Sequence, residues 1–247
     1  MASPDVLLGA GLYETARVSD GVVLHGERHL ERITSSAHAL GLPAPARAAF
    51  LTAIAGATGA GDVVRVTLHA PAGEPELSAQ RRAAIAPGPL RLTALGGWYA
   101  PGYALREHKL TSHFHGVQGR RLAQAAGYDD ALLVSHDGRA GELTNANIAL
   151  FLGGALVTPA VDGLLPGVCR AALLDAAREL GLVAEARAVA LSEVIDAEAV
   201  LVTSSPRGLA EAVELDGHDL GRIAPDLLGL LRERVAASAL AHALALP

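Results

Sequence analysis

Residues Glu142–Arg170 read ELTNANIALFLGGALVTPAVDGLLPGVCR, and this stretch decides the fold. NIALFL and ALVTP are short apolar runs and are read as strands. The run PGVCRAALLDAAREL, from Pro166 onward, is the clearest helix in the chain. Proline stands where a helix begins. Leu173, Leu174, Ala177 and Leu180 then recur at helical spacing, and Gly181 ends the pattern.

A loop that opens a helix has a chemical use. Backbone N–H groups at a helix N-terminus attract anions, and the dipole there is positive. Gly167, Val168 and Cys169 are therefore candidate phosphate donors, with glycine allowing close backbone approach. Taken alone, a glycine there is ordinarily just a turn residue. Glu142, at a strand boundary, is ordinarily a solvated loop residue. Ser204 and Ser205, in VTSSPRG, are ordinarily just capping residues.

Upstream, LLGAGLYETARVSDGVVLHGE predicts two strands around a Ser-Asp-Gly turn. ERHLERITSSAHALGLP predicts a helix with Leu30, Ile33, Ala37 and Leu40 on its buried face. A second helix falls around ARAAFLTAIAGATG, and VVRVTLHA and QRRAAIAP read as strands. The stretch APGPLRLTALGGWYAPGYALREHK reads as irregular, with Pro87, Pro89 and Pro101. The domain boundary is placed there: a small α/β domain over 1–86, a linker over 87–89, and a larger cofactor-binding domain over 90–247. SHFHGVQGRRLAQAAG then predicts a helix, DALLVS and AVLVTSS strands, LSEVIDA the start of a helix, and the Ala/Leu-rich end a terminal helix. Helices and strands mix without strict alternation, so the fold class is α+β in two domains.

The chain has 247 residues and a formal net charge of -6, which argues against nucleic acid as a partner. Its single cysteine, Cys169, precludes an intrachain disulfide. The N-terminus has no basic, apolar-cored leader, and no run is long enough to span a bilayer. The expectation is a soluble cytoplasmic protein without a membrane partner. His108, His113 and His115 cluster in sequence, but residues two apart share no helix face, so no metal is expected.

Lys and Arg together number 20, and Lys109 is the one lysine among them. Codon bias accounts for the loss of surface lysines but not for the survival of one. A guanidinium stays protonated and forms no imine, so arginine replaces a solvated lysine but not a nucleophilic one. Lys109, Glu142, the helix-start loop and the late serines together suit one cofactor. Its aldehyde needs an amine, its phosphate needs N–H and hydroxyl donors, and its pyridine nitrogen needs a carboxylate.

These residues resemble the class IV aminotransferases, that is, the fold-type IV pyridoxal-phosphate enzymes. That group includes branched-chain and D-amino-acid aminotransferases and aminodeoxychorismate lyase. The resemblance rests on Glu142-Leu-Thr-Asn-Ala-Asn147, on Leu156-Val-Thr158 and on Leu165-Pro-Gly-Val-Cys-Arg170. YETARVSDGVV, HLERITSSAHALGLP and VTSSPRG add to it, so that it covers residues 9–220. It implies pyridoxal 5′-phosphate held on Lys109, with Glu142 at the ring nitrogen. It puts Arg32, Gly167, Val168, Cys169, Ser204 and Ser205 at the phosphate, and it implies a homodimer. Tyr13 then lies near the substrate, and Arg207 is the favoured arginine for a substrate carboxylate. Arg106 is expected at a surface or interface, and Asn147 is expected to hold the Glu142 loop.

Some positions depart from the family pattern. Ala149 replaces an aromatic, Phe114 replaces a tyrosine that bonds the cofactor in some members, and Cys169 stands where threonine is common. The N-terminal domain is trimmed. The implied activity is amino transfer between an amino acid or amine and a keto acid. The alternative is elimination of pyruvate by an aminodeoxychorismate lyase-type enzyme, and a non-catalytic cofactor-binding relative is the third reading.

Overall fold

The computed structural model describes residues 8–247; the N-terminal reading above lies partly outside them. The chain divides into two compact units. One takes the chain to Ile85, then His108–Ser112 and Ala237–Pro247. The other takes Ala86–Glu107 and His113–Ala236. A single boundary at 87–89 does not describe this division, because the chain returns to the first unit twice. Backbone pairing explains both returns. Leu110 bridges Leu12, and the Leu244–Ala245 strand pairs with Val22–Val23.

In the first unit, β1 (Leu12–Ser19) and β2 (Val22–Val23) form a hairpin. Its turn residues Asp20 and Gly21 have φ of 49° and 75°, the left-handed pair that a two-residue hairpin loop requires. β1 also pairs antiparallel with β3 (Val63–His69), which pairs with β4 (Glu76–Arg82). Alternation sends Leu12, Ala16, Val64, Val66 and Leu68 to one face. There they meet Ile33 and Ala37 of α1 (Gly26–Ala39) and Phe50 and Ile54 of α2 (Arg47–Ala55). The α1 stripe includes Ile33 and Ala37 as read from the sequence, but also buried His29 and Ser36. The opposite face of the sheet carries Tyr13, Thr15, Arg65 and Thr67.

The second unit holds a larger mixed sheet. The segment read as irregular contains a ten-residue strand, β5 (Leu90–Tyr99). Its prolines, Pro87 and Pro89, precede the strand, where they remove no ladder hydrogen bond. Leu90 and Leu92 are buried with exposed Arg91 between them, and the register slips between Gly96 and Tyr99. The remaining strands are β6 (Asp130–Ser135), β7 (Ala140–Leu143), β8 (Asn147–Leu152), β9 (Ala155–Pro159), β10 (Val183–Arg187), β11 (Ala199–Ser204), β12 (Gly208–Leu215) and the two-residue β13 (His218–Asp219), which pairs with β12 off the main path. They run in the order β10-β9-β8-β11-β12-β5-β6-β7. The helices are α3 (Phe114–Ala125), α4 (Val168–Glu179), α5 (Leu191–Ile195) and α6 (Pro225–Ala241). Leu173, Ala176 and Ala177 of α4 and Leu228 and Leu231 of α6 pack on Ala149, Phe151 and Leu201 of the sheet. Ala149, where the family has an aromatic, is thus a packing position.

Candidate active site

In the first unit, Lys109 is presented by strand pairing. Tyr13 N–H donates to Lys109 O at 2.9 Å, and Thr111 N–H donates to Gly11 O at 2.8 Å. Around the Leu12–Leu110 bridge this register sets Lys109 opposite Tyr13, with both side chains on the polar face. Lys109 Nζ lies 4.7 Å from the centroid of the Tyr13 ring. On the other face Leu110 packs against the apolar core. Next to the lysine, His108 Nδ1 meets Ser36 Oγ at 3.0 Å.

Arg32 is fixed by a residue the sequence reading passed over. Its Nε and Nη2 donate to Glu14 Oε1 and Oε2 at 2.8 and 2.7 Å. Buried His29 reaches Glu14 Oε2 through Nδ1 at 2.7 Å. Burial alone would raise the Glu14 carboxyl, but Arg32 and His29 outweigh it and hold the group well below the usual carboxylate range. Burial pushes the His29 imidazole down, against the pull of Glu14. An ionised carboxylate only accepts hydrogen bonds, so Nδ1 carries the His29 proton. The sequence signal was a lone glutamate inside a strand with two basic residues on the facing helix.

In the second unit, Glu142 is held from three sides. Arg106 Nη2 donates to Oε1 at 3.2 Å, and Asn147 Nδ2 and Leu165 N–H donate to Oε2 at 3.2 and 3.3 Å. Asn147 also donates to Leu165 O at 3.0 Å, a contact in keeping with a loop-holding role. Arg106 corrects the expectation of a surface or interface residue. Its side chain is 10% exposed, and it bonds the Trp98 and Gly163 carbonyls besides Glu142. A carboxylate and two carbonyls satisfy the fork, so burial is tolerated.

Gly167 caps α4, with Val168 and Cys169 in the first turn. A side chain at Gly167 would overlap Asn147 Oδ1, so the glycine answers to a protein neighbour as well as to any ligand. Arg170 Nε donates to Thr158 Oγ1 at 3.0 Å and ties the helix start to β9. The β11–β12 hairpin brings its turn to the same place: Ser205 Oγ lies 3.7 Å from Cys169 Sγ. Ser204 ends β11 and accepts from Arg207 N–H at 3.2 Å. Beside it, Thr203 Oγ1 is buried with no hydrogen-bond partner among the described residues.

Arg207 turns elsewhere. Its Nη1 donates to Ala86 O at 3.0 Å, and it lines a cavity of about 290 Å³ with Arg120, Tyr128 and Asp129. None of the groups around Glu142 lines that cavity. Burial and the nearby Arg120 charge lower the Arg207 guanidinium. Phe114 is 69% exposed. His113 Nε2 meets Thr144 O at 3.0 Å, and burial with Arg106 pushes His115 down to about 4. Among the described residues, no three His, Cys, Asp or Glu side chains gather as a metal site, and no helix is long and apolar enough to cross a membrane.

Known proteins place this arrangement in context. The amino-transferase class IV family model matches residues 11–215. A probable branched-chain-amino-acid aminotransferase of Rickettsia felis is 31% identical over 105 residues, which is 42% of this chain and 35% of that protein. The chain thus matches about a third of the length of that curated relative. A putative 4-amino-4-deoxychorismate lyase of Legionella pneumophila superposes with TM-score 0.86 and 26% identity, covering 94% of this chain and 93% of the other. A hypothetical aminotransferase of Mycobacterium tuberculosis in its PLP-bound form gives TM-score 0.83 and 25% identity, over 96% and 91% of the two chains. The chain belongs to the class IV aminotransferase family.

Proposed function

We propose that this chain is a pyridoxal 5′-phosphate-dependent aminotransferase that moves an amino group between an amino acid or amine and a keto acid. The observation that carries the reading is Lys109, the one lysine, held opposite Tyr13 by two main-chain hydrogen bonds. The residues suit the cofactor. The α4 N-terminus faces a serine turn, Thr203 Oγ1 next to that turn in the chain has no hydrogen-bond partner among the described residues, and Glu142 is a mostly buried carboxylate.

When bound, pyridoxal 5′-phosphate supplies an aldehyde and an electron-accepting ring. Lys109 is assigned the covalent attachment and then the proton transfers: its free Nζ takes a proton from the substrate α-carbon and returns it. Glu142 is assigned the ring nitrogen, which it keeps protonated. Arg32, the N–H groups of Gly167, Val168 and Cys169, and the Ser204 and Ser205 hydroxyls are assigned the phosphate. Tyr13 is assigned to the substrate. Arg207 remains a proposed carboxylate contact, supported by its place after the serine turn.

A homodimer is part of the reading. Phe114, Val117 and Leu122 on α3 are exposed apolar side chains, which a second copy would cover. Cytoplasmic residence is supported by a lone, buried Cys169.

Borohydride reduction of the loaded protein followed by peptide mapping tests the assignment. The label is expected on Lys109; a label elsewhere, or none, overturns it. The likeness to the Legionella protein favours one second reading, the pyruvate-releasing lyase. An amino donor alone converts an aminotransferase to its pyridoxamine form, whereas a lyase releases pyruvate without an acceptor.

A further inference from the structure

We propose that Arg120 and Arg207 form a binding site for a small molecule that carries a phosphate group, in a cavity of the second unit. The cavity is about 290 Å³, and its walls include Leu90, Arg120, Gln124, Tyr128, Asp129 and Arg207. All six belong to the second unit. Arg106, Asn147 and Leu165, which hold Glu142, do not line it. α3 supplies one wall because it sits close on the sheet. Its buried residues are the small Gly116, Gly119 and Ala123, and a side chain at Gly119 would press on Thr144 and Trp98. Arg120 follows that glycine, and Gln124 stands one turn later on the same face. β5 and β6 are parallel neighbours, so Leu90 at the start of one lies at the same end as Tyr128 and Asp129 before the other. The β11–β12 turn brings in Arg207.

The two arginines carry donors that the protein leaves unused. Arg120 Nε is buried with no hydrogen-bond partner among the described residues, a cost that an acceptor on a ligand would remove. The one side-chain hydrogen bond of Arg207 among the described residues runs from Nη1 to Ala86 O at 3.0 Å. Neither guanidinium has an ion-pair partner among the described residues. The nearby carboxylates are engaged elsewhere. Asp129 Oδ2 accepts from Arg91 N–H at 2.8 Å. Asp130 Oδ1 accepts from Thr144 Oγ1 at 2.6 Å and from Ala131 N–H at 2.8 Å. Burial and the Arg120 charge lower the Arg207 guanidinium, so the two cations lie near enough to repel, and a bound anion would relieve that. Two forks offer more N–H donors than a carboxylate has oxygens, and a phosphate brings a larger acceptor set and more charge. The volume sits at the low end of small-molecule sites, roughly 300–1,000 Å³, which leaves room for an organic part against Leu90 and the Tyr128 ring. This site does not rest on the function proposed above. That reading gives Arg207 a substrate carboxylate; here Arg207 shares a phosphate with Arg120, and the test tells the two apart.

The test is equilibrium dialysis of inorganic phosphate against the loaded protein freed of excess cofactor, so that the cofactor's own phosphate site is filled. Ionic strength is held constant with chloride. One equivalent of phosphate is expected to bind the wild type. Arg120→Gln and Arg207→Gln are each expected to weaken it tenfold or more, and Arg120→Lys less. Arg121→Gln removes the same charge from the exposed neighbour on α3 and is expected to bind like the wild type. Arg120 Nε has no partner to lose, so R120Q is expected to unfold no lower than the wild type. The proposal is overturned if the wild type binds no phosphate, if R120Q binds it equally well, if R121Q weakens it as much as R120Q, or if acetate displaces it at equal concentration. Alanine half-saturation, read by spectral conversion, is expected to be unchanged in R120Q. A rise matching the loss of phosphate affinity would assign the cavity to the substrate and overturns the proposal too. A chain that takes up no cofactor fails the proposed function alone, and phosphate binding is then compared in the same variants without it.

Discussion

Glu14 and Arg32 form a two-pronged ion pair in which the carboxylate side chain is 1% exposed and the guanidinium 11%. The pair joins a central strand to the first helix, and it sets the plane of the arginine assigned to the phosphate. Replacing Glu14 with Gln removes one negative charge from beside a mostly buried guanidinium. Breaking a buried pair from one side typically costs about 3–5 kcal/mol. Glu14→Gln is expected to lose stability on that order in denaturant titration and to bind pyridoxal 5′-phosphate more weakly by equilibrium dialysis. Unchanged cofactor affinity would separate Glu14 from the phosphate arginine.

Gly167 faces Asn147 with no room for a methyl group. Gly167→Ala is expected to displace Asn147, which releases its bonds to Glu142 and Leu165. Overpacking of this kind costs about 1–3 kcal/mol. Adding Asn147→Ala makes room, so the double variant is expected to be less destabilised than the sum of the two singles. Strict additivity in the double-mutant cycle would count against the contact.

Arg106 holds Glu142 in a mostly buried pair. Arg106→Gln is expected to cost about 3–5 kcal/mol and to lower the activity of the loaded enzyme, because the carboxylate loses a charged donor that orients it. Thermal unfolding and turnover are measured on the same preparation. Wild-type values in both would return Arg106 to the surface role read from the sequence.

His25 is buried, its Nδ1 has no partner among the described residues, and burial with neighbouring His29 and Arg28 lowers it from 6.5 to about 3. The unfolded chain therefore takes up a proton that the folded chain refuses. Stability from this group is complete above pH 6.5 and falls as pH drops toward 3. The slope is about 1.4 kcal/mol per pH unit, or about 2 kcal/mol by pH 5. His25→Asn tolerates the left-handed backbone at φ 53°. It is expected to flatten that slope in urea titrations at pH 7 and pH 5, and parallel slopes would show that His25 is not the source.

Much of the second unit was legible from the sequence. Apolar runs gave β8, β9 and β11, and the proline before a periodic stripe gave α4. The candidate phosphate loop came with them, because turn chemistry is local. β5 was hidden because its flanking prolines read as punctuation, and its register slips between Gly96 and Tyr99. Glu14 and Arg106 were also hidden, for a different reason. A buried carboxylate or guanidinium looks solvated until its partner is known, and these partners lie 18 and 36 residues away in sequence. The unit to which Lys109 belongs follows from a single strand bridge, which no periodicity announces.

That bridge also fixes a parity. Along an extended segment, neighbouring side chains point to opposite sides. Because Leu110 faces Leu12, an odd-numbered residue of this segment looks to the polar side and an even-numbered one to the core. Losing one residue from the paired stretch would turn the lysine into the hydrocarbon interior and put a leucine where the amine belongs. Losing two would leave the facing intact. Point changes and indels here therefore carry different hazards, and the chemistry depends on a count modulo two as much as on the identity of any single residue.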